Sequence, residues 1–262
     1  MGMLSSYGGW AVVTGASAGI GEAFARALAA ERVNLVLTAR REERLRSLAS
    51  DLEARHEVAT RVVPLDLVAA DAPRRLLEAT ADLDVGFVLN NAGFGVAGRF
   101  ERGEYERVLN MVRLNCVAVT AVAHLFLPGL VARGRGALVI VASAAGYQPV
   151  PLAAVYGATK AFDLMLGEAL WAENRGRGVD VLAVSPGSTD TEFQAVAGEK
   201  PHAAVPATDV VDATVGALGK QPSVIVGNVN AIRTFGLRFA PRALIARVAE
   251  MVMRDNIPEN AR

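Results

Sequence analysis

Seven short, uninterrupted apolar runs alternate with longer stretches of helical periodicity, and this alternation constrains the fold more than any other feature of the chain. The runs are Trp10–Thr14, Asn34–Thr38, Arg61–Pro64, Val85–Leu89, Ala137–Ala142, Val181–Val184 and Ser223–Val226. The helical stretches between them are Ile20–Ala30, Glu42–Ala54, Ala72–Ala81, Tyr105–Leu127, Ala154–Asn174 and Asp209–Leu218. A strand with one wet face alternates polar and apolar residues, whereas a continuous apolar run is buried on both faces. Such strands, separated by helices, build βαβ units. The expectation is an α/β fold with a doubly wound parallel sheet of about seven strands and helices on both faces. It takes in residues 1–262 as a single domain, because neither a linker nor an internal repeat divides the chain.

Two stretches are less regular. Residues 185–207 hold Pro186, Pro201 and Pro206 with Gly187 and Gly198, and are long for a strand-to-helix connection. Such length points to a functional loop, with the substrate loop itself near 188–207. The end beyond Gly227 carries, over 231–254, Arg233, Arg238, Arg242, Arg247 and Arg254 among Phe235, Leu237, Phe239, Leu244, Ile245, Val248 and Met251. A basic amphipathic tail can lie on an anionic membrane. The favoured reading is that it packs on the sheet or on a second subunit, split by Pro241 into two short helices.

Composition excludes several classes. Lys+Arg and Asp+Glu number 27 each, so no basic excess offers itself to nucleic acid. Cys116 is the one cysteine, which rules out an intramolecular disulfide and suits a reducing cytoplasm. It lies in the apolar stretch Leu114–Ala123 and reads as a buried structural thiol. Met1–Trp10 lacks the charged start of a signal peptide. Met1–Ser6 fits the loose myristoylation pattern, which chance often satisfies. Arg113, Asn115, His124 and Pro128 interrupt the longest apolar tract, Val108–Ala132, which argues against a membrane span. The expected location is cytoplasmic, and no metal site is expected.

The first strand runs into Thr14-Gly15-Ala16-Ser17-Ala18-Gly19-Ile20-Gly21, which opens a helix. Glycines here let backbone approach a pyrophosphate, and the free N–H groups of the helix start attract its charge. The bland alternative is a tight turn with no ligand. Gly15, Ser17, Ala18, Gly19, Ile20 and Gly21 are therefore candidate cofactor contacts. In a βαβ cofactor site, a carboxylate after the second strand would hold a ribose 2′-hydroxyl. Here Arg40 stands in that place with Arg41 beside it. Guanidinium groups bind a 2′-phosphate that a carboxylate would repel. NADP(H) is thus favoured, with NAD(H) as the alternative. Asp66 and Leu67 follow the third strand as candidate adenine contacts. Asn90-Asn91-Ala92-Gly93 follows the fourth, where Asn90, Ala92 and Gly93 form a turn that can lie against the cofactor.

Tyr156 and Lys160 lie four apart at the start of a helical stretch and so share one face. A phenol with a pKa of about 10 exchanges protons poorly at neutral pH. A nearby ammonium favours the phenolate and lowers that value. A tuned tyrosine can then give a proton to a carbonyl oxygen or take one from an alcohol. Ser143 ends the fifth strand, where doubly wound sheets bind ligands, and can hold the substrate oxygen. Asn115 is a mediocre helix former inside a helical stretch, and its amide suggests a water or backbone link behind Lys160.

With these motifs in order, the chain resembles the classical short-chain dehydrogenases/reductases along nearly its full length. The matching pieces are Thr14–Gly21, Asn90–Gly93, Asn115, Ser143, Tyr156 with Lys160, and Pro186-Gly187 with Thr191. The resemblance implies a Rossmann-type domain and a catalytic tetrad of Asn115, Ser143, Tyr156 and Lys160. Tyr156 would be the acid/base, Lys160 would hold the ribose and tune it, Ser143 would orient the substrate, and Asn115 would order a relay water. Pro186, Gly187, Thr189 and Thr191 would lie beside the nicotinamide carboxamide. Thr38–Leu45, Asn91–Gly95 and Thr189–Phe193 look like the ketoacyl- and ketosteroid-reductase branch. One departure is Ala18, where many NADP-using members carry Lys or Arg, so phosphate recognition would rest on Arg40 with Arg41 and Ser17. The activity implied is hydride transfer between nicotinamide and a carbonyl or alcohol. The substrate would be fairly apolar, and the enzyme a homodimer or homotetramer. Two alternatives are a silent NADP(H)-sensing protein and a membrane-associated protein that uses the basic tail.

Overall fold

The structure is a computed structural model that describes residues 2–262, with the side chains of Arg238 and Asn260 left out. Met1 of the myristoylation pattern, and the side chain of Arg238 in the tail, lie outside the described residues. In chain order the elements are β1 (Trp10–Thr14), α1 (Gly19–Ala30), β2 (Asn34–Ala39), α2 (Glu42–His56), β3 (Thr60–Pro64), α3 (Ala72–Glu78) and β4 (Val85–Asn90). There follow α4 (Tyr105–Val112), a π turn (Arg113–Ala118), α5 (Val119–Ala132), β5 (Gly136–Val141), α6 (Ala154–Asn174) and β6 (Val179–Ser185). The remainder is α7 (Phe193–Ala197), α8 (Ala207–Ala217), β7 (Ser223–Ile225), α9 (Asn228–Gly236) and α10 (Arg242–Asn256).

All seven strands join one parallel sheet in the order β3-β2-β1-β4-β5-β6-β7. Successive side chains leave opposite faces of a strand. Val13, Leu35 and Leu37 accordingly enter one core layer with Phe24 and Leu28 of α1. Val12, Val36 and Val88 enter the other, with Val122 and Phe126 of α5. Both layers are dry, which is why the strands read as continuous apolar runs. At about 25 cal/mol per Å² of apolar surface, burying two layers is the main stabilising contribution.

The strand boundaries agree with the sequence reading to within two residues. The single helix expected over Tyr105–Leu127 is instead a rod reaching Ala132, interrupted by the π turn. This rod is long and apolar enough to cross a membrane by length and hydropathy. Val119, Val122, Phe126 and Leu130 are buried in the second core layer, which accounts for its apolar face. The stretch beyond Gly227, read as irregular, forms α9 and α10, with Pro241 between them as expected. Pro241 lacks an N–H and has the extended ψ of 135° that starts a new helix.

Strand order reverses beside β1, where the β1–α1 and β4–α4 connections leave in opposite directions. Doubly wound sheets open a crevice at that point, along the carboxyl ends of their strands. The crevice here has a volume of about 520 Å³.

Candidate active site

The β1–α1 turn forms one end of the crevice. Gly15 and Gly19 have φ values of +68° and +58°, a region that side chains other than glycine rarely adopt. A Cβ on Gly19 would stand 2.7 Å from Cγ2 of Thr191, and one on Gly21 would stand 2.3 Å from the carbonyl oxygen of Gly15. The turn is tied to β4 by a hydroxyl that sequence reasoning did not single out. Thr14 Oγ1 accepts from the backbone N–H of Asn91 (2.8 Å) and of Ala92 (3.0 Å), and donates to the carbonyl of Leu89. Asn91 Nδ2 donates back to the carbonyl of Thr14 at 2.9 Å.

Most of the residues expected to bind cofactor line this crevice. At the adenosine end these are Gly15, Ser17, Ala18, Gly19 and Ile20, with Arg40, Asp66 and Leu67. Further along come Ala92 and Gly93, then Pro186, Gly187, Thr189 and Thr191 after β6. Gly21, Asn90 and Asn115 stand behind the wall. Gly21 is the surface on which the Gly15 carbonyl rests. Asn90 is buried and spends its Nδ2 on the carbonyl of Val119, so it braces α5 instead of facing a ligand.

Arg40 is exposed on the crevice rim and makes no hydrogen bond or ion pair among the described residues. Arg41 reaches Ser17 Oγ with Nη2 at 3.1 Å. Arg41 and Arg44 each take one oxygen of Glu192 at 2.6 Å, and the two guanidinium groups, Arg44 first, hold that carboxyl below the usual carboxylate range. Three arginines and a serine hydroxyl thus gather where β2 ends.

Ser143, Tyr156 and Lys160 meet at the far end of the same crevice. Ser143 follows β5 in extended conformation, and its Oγ lies 3.4 Å from the carbonyl of Pro186. The Tyr156 ring packs on Phe193 of α7, with centroids 5.2 Å apart. Lys160 is 5% exposed and donates to the carbonyl of Val141 at 2.7 Å and to Asp163 Oδ2 at 2.9 Å. Asn115 lies in the π turn. Its Nδ2 donates to the carbonyl of Phe94 and to Thr159 Oγ1, and its Oδ1 accepts from Phe94 N–H. The amide therefore pins the β4 loop to α6, next to Lys160, and its polar atoms are engaged in that bracing instead of being held open for a water.

The electrostatics correct one expectation. In the free crevice the Tyr156 phenol is raised above its ordinary value. Burial is the largest cause, and Lys160 and Ser143 oppose it without overcoming it. Burial is the largest pull on the Lys160 amine and lowers it, but Asp163, Tyr156 and Cys116 together raise it above its ordinary value, so the amine stays charged. The Cys116 thiol is half-buried and pushed up to about 11, chiefly by burial, so it stays protonated at neutral pH.

The substrate end was the least legible part. The loop after β6 is held by Thr189 pairing with Val205 and by Ser188 Oγ against His202 Nε2 at 2.8 Å. The tail closes the far wall, instead of packing mainly on the sheet. Asn230, Arg233, Thr234 and Leu237 of α9 and its end face the crevice, as do Ala249, Val252, Met253 and Asn256 of α10. Both sets are spaced three, four and seven apart, one helical stripe each. That spacing was the available signal, but periodicity does not say what a stripe covers.

The sequence profile of the short chain dehydrogenases matches residues 9–202. The chain is a short-chain dehydrogenase. It is 33% identical over 237 residues to a 7beta-hydroxysteroid dehydrogenase of Mediterraneibacter gnavus, covering 88% of this chain and 90% of that one. It is 35% identical over 227 residues to a very-long-chain 3-oxoacyl-CoA reductase of Phaeosphaeria nodorum, covering 83% of this chain and 66% of that one. A short-chain dehydrogenase from Sphingobium yanoikuyae, solved in complex with NADPH, superposes with a TM-score of 0.81 at 31% identity, covering 90% of this chain and 94% of that one. This dehydrogenase is an oxidoreductase acting on CH–OH or C=O groups, with a Rossmann-type sheet that binds a nicotinamide cofactor.

The turn fits that cofactor. Side chains at Gly19 or Gly21 would collide with neighbours, so the approach to the first N–H groups of α1 stays open to a pyrophosphate. Replacing Gly19 by Ala in this dehydrogenase should weaken NADPH binding about tenfold or more, since strain of this kind costs about 1–3 kcal/mol. Fluorescence titration of NADPH, alongside circular dichroism to confirm the fold, measures it.

Proposed function

We propose that this dehydrogenase is an NADP(H)-dependent reductase of carbonyl compounds, reversible to the alcohol, with Tyr156 as the general acid/base. The observation that carries the reading is the meeting of Ser143, Tyr156 and Lys160 in the crevice that also holds the Gly15–Gly21 turn. Bound nicotinamide supplies the hydride, or takes it in the reverse direction. Ser143 Oγ holds the substrate oxygen. Tyr156 Oη gives its proton to that oxygen as charge builds on it. Lys160 lends positive charge beside the phenol, and Asn115 fixes the loop and helix between which the amine sits. Pro186, Gly187, Thr189 and Thr191 shape the wall where the carboxamide would rest.

The preference for NADP(H) rests on the end of β2. No carboxylate follows β2 in the chain, Arg40 is unengaged among the described residues, and Arg41 lies against Ser17 while it shares the Glu192 carboxylate with Arg44. Phe193, Val196, Leu237, Val252 and Met253 give the substrate end an apolar part, beside the polar Gln148, Gln194, Asn230, Thr234 and Asn256 and the titratable or charged His202, Glu199 and Arg233. A fairly apolar ketone or alcohol is the substrate class that suits this wall. The names of the relatives, a hydroxysteroid dehydrogenase and a 3-oxoacyl-CoA reductase, lie within that class.

Replacing Tyr156 by Phe should abolish turnover, by about 10²-fold or more, the usual worth of a positioned proton donor, while NADPH still binds. NADPH oxidation against a panel of ketones, with a parallel binding titration, checks both halves. Full activity in the variant would remove the acid. Arg40→Ala should weaken NADPH about tenfold to a hundredfold, and NADH little, since charged hydrogen bonds to phosphate are the strong ones. Equal losses for both cofactors would sink the phosphate assignment.

We further propose that the enzyme is a cytoplasmic homodimer or homotetramer. Val117 on the π turn and Phe162 and Met165 on α6 are exposed apolar side chains, which suit an interface between copies. A second reading, membrane contact, is favoured by the outer side of the tail, where Val229, Ile232, Phe239 and Met251 are each more than two-thirds exposed among basic residues. Sedimentation velocity should give a dimer or larger, and co-sedimentation with anionic liposomes should give no binding. A monomer that pellets with liposomes reverses the choice.

A further inference from the structure

Lys160 is not alone behind Tyr156. Asp163 follows it by three residues on α6 and is fully buried, at 0% exposure. It is not among the residues that line the crevice. Its Oδ2 accepts from Lys160 Nζ at 2.9 Å, while its Oδ1 has no hydrogen-bond partner among the described residues. The same amine donates to the carbonyl of Val141, the last residue of β5. The ammonium is thus held from two sides, by the helix and by the end of β5.

A carboxylate buried with one oxygen unpaired costs free energy, so stability alone is a weak reason for its presence. Its charge also works against the expected tuning of the phenol. An ammonium near a phenol lowers the phenol's pKa, and a carboxylate on the far side of that ammonium cancels part of the field. The other groups that bear on the pair are few. Ser143 after β5, Glu199 after α7, and Lys160 and Asp163 on α6 act on Tyr156, while Asp163 and Cys116 of the π turn act on Lys160. Cys116 stays neutral, and burial raises the carboxyls of Glu199 and of Asp163 above their ordinary values, with the Lys160 ammonium opposing the rise at Asp163.

We infer that Asp163 is a positioning residue for the Tyr156–Lys160 pair, anchoring the ammonium to the end of β5 and screening its charge so that Tyr156 keeps its proton at neutral pH. This rests on the reading of Tyr156 as the acid/base. The protonated phenol is the form that reduction needs, and the phenolate is the form that oxidation needs. Asp163 therefore biases this site towards carbonyl reduction near neutral pH. Removing its charge without removing its shape leaves the Lys160 field unopposed at the phenol.

The test is the pH profile of kcat/KM for NADPH-dependent ketone reduction by the wild-type enzyme and by Asp163→Asn. Reduction fails at high pH when the phenol loses its proton. The alkaline limb should move to lower pH by about one unit in the variant, the low end of the effect of a nearby charge. NADPH affinity should change less than threefold, because Asp163 does not line the crevice. Asp163→Glu, which restores the charge, should return the limb towards the wild-type position. A limb unmoved in a folded, NADPH-binding Asp163→Asn enzyme overturns the inference. If that variant does not fold, Asp163→Ser decides: its alkaline limb should likewise move to lower pH, and an unmoved limb in a folded, NADPH-binding enzyme overturns the inference. Should Tyr156→Phe retain full activity, the acid/base assignment itself fails, which is a result distinct from an unmoved limb.

Discussion

The parallel sheet, dry on both faces, is the constraint on which the other features depend. Because every strand runs the same way, every strand ends on the same edge. The order β3-β2-β1-β4-β5-β6-β7 then parts the connections beside β1 and opens the crevice there. The residues that line the crevice need no sequence proximity under this arrangement. Arg40 follows β2, Gly93 follows β4, Ser143 follows β5 and Gly187 follows β6, and the sheet alone makes them neighbours. The Thr14 hydroxyl adds a local tie, joining the β1 turn to the β4 turn through two N–H groups.

Within that frame the site is a contest between burial and charge. Low dielectric favours the neutral form of Tyr156, and the adjacent ammonium favours the phenolate. In the free crevice burial prevails. The ammonium is itself buried, and it remains charged because Asp163 stands behind it. These effects oppose one another at a single phenol, so a change in either bears on its proton. A positively charged or hydrogen-bonding group placed beside the phenol moves the balance more than it would in water.

Legibility fell off with distance along the chain between interacting groups. Trp10–Thr14 was read to the residue because a buried strand is a local pattern of apolar side chains. The Gly15–Gly21 turn was read because its backbone angles demand glycine. Tyr156 and Lys160 were paired by helical spacing alone. Asn90 was read as a cofactor contact and Asn115 as a water or backbone link behind Lys160; Asn90 faces inward and Asn115 makes the backbone link, and only the packing of the β4 loop against α5 and α6 shows which way each amide points. Asp163 went unnoticed because a carboxylate on a helix resembles any solvated charge until its burial is known. The tail stripe of Asn230, Arg233, Thr234 and Leu237 was visible as periodicity, while its partner, the crevice mouth, was not.

The amino-acid order by itself determined the strand–helix alternation, the glycine turn, the basic end of β2 and the spacing of tyrosine and lysine. Each of these is decided within a few residues by backbone sterics, helical pitch or the hydrophobic effect. The tertiary structure alone decided which polar groups are dry, which face the crevice, and what stands behind the lysine. Those outcomes depend on contacts between segments far apart in the chain, and the free energy of a charge depends on everything packed around it.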